Sequence, residues 1–231
     1  MERPGRRGAQ LSWFRRLFGM PQPQPPSPEP KPEEQPRYQP GCFPTTFNAN
    51  NSTMLSQLRQ ANKYRQIIEN TARHYHLKPS VICGMGSRES HWGLGLTPPG
   101  PGGRGDFARR RPRGNRRSPE PPDGPGYGRG LMQIDYDWHE FARTGDWKIP
   151  NENIQYACTV LTKAKEFFQK KRVRLNEDDM LRAIIASYNG GATATLRAIE
   201  AGKDIDANTT GRDYSKDVLN RTGWFQLHGW K

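Results

Sequence analysis

The sequence predicts a mainly α-helical domain, and three observations carry that expectation. Apolar residues recur at three-and-four spacing through most of residues 54–219. Asparagines and prolines sit where such runs begin and glycines where they stop. Strand-like alternation is scarce. Over 54–77, Leu55, Leu58, Ala61, Ile68 and Ala72 form one stripe with charges opposite, which predicts a helix. Pro79 suits a first turn, where its missing N–H goes unneeded, and Val81, Ile82 and Met85 then share a face. That second helix carries Glu89. A third opens at Asn151–Asn153 and runs through Ile154, Ala157, Cys158, Leu161, Ala164 and Phe168. Asn176 is a suitable N-cap, with Glu177, Asp178 and Asp179 in the positive first turn; Met180, Ile184 and Ile185 then face the core until Gly190. Two further helices are expected, about 192–201 before Gly202, and one that includes Tyr214 to Leu219.

The chain has 231 residues, enough for one ordinary domain plus additions. Residues 20–40 read "MPQPQPPSPEPKPEEQPRYQP", too poor in apolar groups to offset their ordering entropy. Residues 1–50 are therefore expected to be a disordered tail and Pro-rich linker, and 51–231 the folded domain. Leu11 to Phe18 is too short and too charged to span a bilayer, and it lacks the features of a signal peptide. It reads either as a frayed tail or as a short basic amphipathic helix. Within the domain, 97–129 is a basic insertion rich in Arg, Gly and Pro, with seven arginines from Arg104 to Arg117. Such a loop is either simply solvated or an anion-gripping flap.

Lys and Arg exceed Asp and Glu by 13, which favours a polyanionic partner. Nucleic acid is not expected, because no interleaved aromatics or nucleic-acid motif accompany the charge. Cys42, Cys83 and Cys158 cannot all pair within the chain, and Cys83 and Cys158 read as buried free thiols. No Cys/His cluster has metal-ligand spacing, so neither metal nor cofactor is expected.

In "SRESHWG", residues 87–93, Glu89 stands one step along from Met85. A carboxyl against apolar packing has its charged form disfavoured and its pKa raised. The ordinary alternative is a solvated glutamate paired with Arg88.

Four segments, "SRESHWG", "GYGRGLMQID", "ASYNGG" and "GRDYSKDVLNR", together and in this order resemble goose-type lysozyme and the related soluble lytic transglycosylases. The likeness runs from about Leu55 to Gln226, interrupted by the Arg-rich insertion. It implies a lysozyme-like (goose-type) helical fold that cleaves peptidoglycan glycan strands between N-acetylmuramic acid and N-acetylglucosamine. By this resemblance Glu89 matches the catalytic acid, and Gly130, Leu131, Met132 and Gln133 match the segment lining the cleft. Asp135 matches an aspartate implicated in positioning water. Tyr188 and Asn189 match the pair that faces the acid and holds substrate, and Tyr214 a further tyrosine near the site. A second goose-type aspartate corresponds to Asp123 or, across the insertion, to Asp106; the spacing favours Asp123. The resemblance also implies action outside the cytoplasm, on the cell wall; a monomer is expected, and the positive charge favours anionic wall polymers as a further partner.

Breaking a glycosidic bond requires one carboxyl that is still protonated when substrate arrives. An inverting hydrolase adds a carboxylate roughly 6.5–9.5 Å away to activate water. Asp135 and Asp123, then Asp106, are the candidates. Without such a base the sugar's own C6 hydroxyl captures the cation, giving the 1,6-anhydro product of a lytic transglycosylase. Each assignment has a structural rival: Asp135 as an N-cap, Tyr188 as core, Asn189 as a C-cap beside Gly190. Trp92, Tyr127 and Trp138 are either sugar-stacking faces or packing.

Overall fold

The computed structural model describes residues 42–108 and 120–231. The expectations for the tail and linker before residue 42, and for the arginine run within 109–119, lie outside the described residues.

The stretch expected as one helix over 54–77 is two, α1 (Ser52–Lys63) and α2 (Arg65–Tyr75). Asn51 caps α1 by accepting from the Met54 N–H. The break falls at Tyr64, whose ring lies against Trp92 at 6.0 Å between centroids, while Ala61 and Ile68 on either side both stay buried. Helix α3 (Pro79–Ser90) opens on proline at its first position and closes with His91 in the left-handed conformation. Trp92 and Gly93 continue that left-handed turn, which folds the Trp92 indole back under Gly86 and donates its N–H to the Cys83 carbonyl at 3.0 Å.

A small antiparallel sheet, not expected from the sequence, is formed by β1 (Arg104–Gly105), β2 (Gly128–Arg129) and β3 (Ile134–Asp135), in that order. Its strands have two residues each, too few for alternation to show. After a short α4 (Phe141–Thr144), α5 (Pro150–Lys170) supplies the longest helix, again with proline at its start. Asn176 caps α6 (Glu177–Gly190) by accepting from the Asp179 N–H at 2.8 Å, as expected. Then follow α7 (Ala192–Glu200) and α8 (Tyr214–Leu227). The fold is mainly α.

Helices α3 and α8 share the most extensive contact. Glycine makes it possible: a Cβ on Gly84 would lie 2.6 Å from the Val218 carbonyl and 2.4 Å from the Thr222 hydroxyl. Residues 42–50, assigned from composition to the tail, fold against α8 instead. The Phe43 N–H donates to Gln226 at 2.9 Å, the Thr46 N–H to Asn220 at 2.7 Å, and the Trp224 indole to the Asn48 carbonyl at 2.9 Å. These polar bonds to a distant helix leave no hydropathy signal. All three cysteines are free, with Cys83 and Cys158 buried as expected and Cys42 exposed. Among the described residues, no helix is long and apolar enough to cross a membrane.

Candidate active site

Glu89 is the penultimate residue of α3, at the helix end where the macrodipole already disfavours a negative charge. The alternative of a solvated ion pair with Arg88 is not what forms. Arg88 turns to α8, reaching Asp217 at 2.7 Å and Asp213 at 3.3 Å. Glu89 is half-buried, and Oε1 accepts a hydrogen bond from the buried hydroxyl of Tyr214. Burial pushes its pKa up to about 7; the Tyr214 bond and the nearby Arg88 charge pull the other way without cancelling it. Tyr188 adds a half-buried phenol whose ionisation is disfavoured by burial first and by the neighbouring Glu89 second.

The segment from Arg129 to Met132 is clamped beside this carboxyl from three helices. Ser90 of α3 donates to the Leu131 carbonyl at 2.6 Å. Asn153 of α5 accepts from the Met132 N–H at 2.8 Å and donates to the Arg129 carbonyl at 3.1 Å. Tyr188 of α6 donates to the Met132 carbonyl at 2.7 Å. Gly130, at φ 67°, is the pivot, since a Cβ there would meet the Asn153 amide at 2.5 Å. Neither Ser90 nor Asn153 was singled out from the sequence; a buried serine and an asparagine in a helix's first turn look like ordinary helix chemistry.

The expected site residues divide accordingly. Glu89, Tyr188 and Tyr214 come together, and Asn189 adjoins them on α6, its side-chain oxygen accepting from the Thr210 N–H at 2.7 Å. Met132 was expected to meet substrate, but its side chain lies wholly in the core and both its backbone groups are engaged. Gln133 donates to the Gly130 carbonyl at 2.8 Å, and its side-chain oxygen packs over Gly105 and Gly128, where a Cβ would approach it to 2.1 Å. It shapes the hairpin.

The three aspartates differ. Asp135 stands on β3 opposite Gly128, and Oδ1 accepts from the N–H groups of Asp137 at 2.8 Å and Trp138 at 3.3 Å. It therefore caps a turn rather than a helix, since α4 begins at Phe141 with Glu140 as its N-cap. Asp123 binds Arg129 at 2.7 Å. Arg129 is fully buried (0% exposed) between Tyr136 and Trp147, so Asp123 is its counter-charge. Asp106 is exposed beside β1, its carbonyl accepting from the Tyr127 N–H at 3.0 Å.

A family model described as Lysozyme g matches residues 110–229, a span that holds Met132, Asp135, Tyr188 and Tyr214, with Glu89 lying before it. Lysozyme g of Gallus gallus is 32% identical over 173 residues, covering 75% of this chain and 68% of that protein. The chain belongs to the lysozyme g family. Lysozyme g of Takifugu rubripes is 32% identical over 167 residues, 71% of this chain and 74% of the relative. Lysozyme G of Dromaius novaehollandiae is 29% identical over 181 residues, 78% and 74%. As a lysozyme g family member the chain is a glycoside hydrolase of the goose type. Of the aromatic residues considered for sugar stacking in this lysozyme g chain, Trp92 and Tyr127 are buried and serve packing. Trp138 is 61% exposed, on the turn that Asp135 caps. No cluster of three His, Cys, Asp or Glu suited to a metal is present among the described residues.

Proposed function

We propose that this protein hydrolyses the β-1,4 bond between N-acetylmuramic acid and N-acetylglucosamine in peptidoglycan, with Glu89 as general acid. The single observation that carries the reading is the Glu89 carboxyl: half-buried, held by Tyr214, and with its pKa pushed up to about 7 by burial in a chain of the lysozyme g family. A carboxyl that keeps its proton near neutral pH can deliver it to the departing sugar oxygen.

Asp135 is the aspartate best suited to position water. Its strand continues directly from the clamped segment beside Glu89. Its two backbone donors hold Oδ1 in a fixed position on the turn that follows β3. Asp123 is occupied by a buried arginine, and its role in this reading is to hold the hairpin. Tyr188 fixes the cleft wall through Met132, and Asn189 presents an exposed amide to the sugar.

Digestion of purified peptidoglycan, with reducing and 1,6-anhydro ends separated by mass spectrometry, tests both halves of the mechanism. Water attack yields reducing ends; anhydro ends, lighter by one water, would reassign the protein as a lytic transglycosylase. Asp135→Asn is expected to lower the release of reducing ends about 100-fold, and an unchanged rate would remove Asp135 from the mechanism.

The net charge of +13 suits anionic wall polymers as an additional partner. Binding to walls that carry them is expected to weaken steeply as salt rises. Binding insensitive to salt would eliminate that partner.

A further inference from the structure

Asp206 lies in the loop between α7 and α8 and is wholly buried (0% exposed). A buried carboxylate requires compensation from several sides, and here it receives it. Oδ1 accepts from the Ser215 N–H at 2.8 Å, with the Thr209 hydroxyl 3.3 Å away. Oδ2 accepts from the Ser215 hydroxyl at 2.7 Å and the Lys216 N–H at 3.3 Å. Arg182 of α6 supplies a positive charge at 3.5 Å and is itself steadied by Asp204 at 3.2 Å.

Ser215 and Lys216 are the second and third residues of α8, whose own N-cap, Asp213, makes no side-chain capping bond. Asp206 takes over that role from upstream, satisfying two N–H groups that a helix start leaves without partners and placing negative charge at the positive end. The first residue of this turn is Tyr214. Its N–H lies 3.4 Å from the Thr209 hydroxyl, which also donates to the Asp206 carbonyl at 3.0 Å. Tyr214 is thus bracketed on both sides by groups bound to Asp206, while its phenol reaches Glu89.

We propose that Asp206, backed by Arg182, is a positioning residue of the active site: it locks the first turn of α8 so that Tyr214 holds the Glu89 carboxyl. The proposal rests on the reading of Glu89 as general acid. The ionisable groups around Glu89 are Tyr214 from α8, Tyr188 from α6, and Arg88 on α3 with its partners Asp213 and Asp217. Asp135 is the carboxylate of the adjoining hairpin strand. Tyr214 donates to the carboxylate form of Glu89 and favours it, so loosening Tyr214 raises the pH at which Glu89 loses its proton.

The test is kcat/KM against pH on soluble peptidoglycan fragments for wild type, Asp206→Asn, Tyr214→Phe and the double variant. Asparagine replaces one accepting oxygen with a donor and leaves part of the cap unmet. In Tyr214→Phe the basic limb is expected to move up by about one pH unit. Asp206→Asn is expected to move it in the same direction, and the double variant no further than Tyr214→Phe alone. An unmoved limb in Asp206→Asn, or additive shifts in the double variant, overturns the proposal. Should Asp206→Asn not fold, the near-isosteric Thr209→Val removes the hydroxyl between Asp206 and the Tyr214 N–H and is read the same way. Failure of the underlying reading is separately visible, as a wild type without a basic limb or an active Glu89→Gln.

Discussion

Replacing Glu89 with glutamine is expected to reduce turnover on peptidoglycan about 1,000-fold while leaving the fold intact. Glutamine keeps the volume and can still meet the Tyr214 hydroxyl, but it has no proton to give. In the wild type the acid must be protonated in the free enzyme, so kcat/KM is expected to fall as pH rises through about 7. Stability carries the same signature. The folded-state pKa of Glu89 lies above its unfolded value of 4.5, so its favourable contribution is complete below 4.5 and lost as pH climbs through about 7. Glu89→Gln removes that loss. It is expected to match wild type at pH 4 and to exceed it at pH 8 by up to about 3 kcal/mol. Equal unfolding midpoints at both pH values would show that the carboxyl is solvated, and retained turnover would end its role as the acid.

Gly84→Ala is expected to cost about 2–3 kcal/mol of stability, or about 4–12 °C in Tm. The added methyl meets a backbone carbonyl of α8 at 2.6 Å, which cannot rotate aside as a side chain would. Alanine's better helix propensity recovers only about 1 kcal/mol of the strain. Relief requires α3 to move away from α8, and those two helices carry Glu89 and Tyr214. Turnover is therefore expected to fall with stability. Gly102→Ala, whose Cβ would find only Lys148 side-chain atoms at 3.7 Å, is the control and should change neither quantity. A Gly84→Ala protein with wild-type Tm would show that the helices are not held at this separation by backbone contact.

The helices and the placement of Glu89 at the end of one were legible because they are written locally. Pro79 and Asn176 start helices by their own backbone and side-chain chemistry, and the stripe through Ile154, Leu161 and Phe168 needs only a 3.6-residue period. The segments "SRESHWG", "ASYNGG" and "GRDYSKDVLNR" located Glu89, Tyr188 and Tyr214, which do meet. The roles of Met132, Gln133 and Asp123 were not legible. A residue name in a motif does not say which way the side chain points: Met132 lies in the core, Gln133 packs over the hairpin glycines, and Asp123 pairs with Arg129. Asn153, Ser90 and Asp206 escaped notice because their partners lie on other elements, 24, 41 and 9 residues away in the chain.

By itself, the sequence determined a mainly helical chain, two free buried thiols and a glutamate at the end of an apolar helix, all consequences of short-range pattern. Tertiary structure alone decided that residues 42–50 belong to the domain, that Arg88 answers to α8 rather than to Glu89, and that a distant carboxylate caps the helix bearing Tyr214. The physical reason is that desolvation and hydrogen bonding are set by whatever packs opposite a group. For Glu89 that is Tyr214, 125 residues away along the chain.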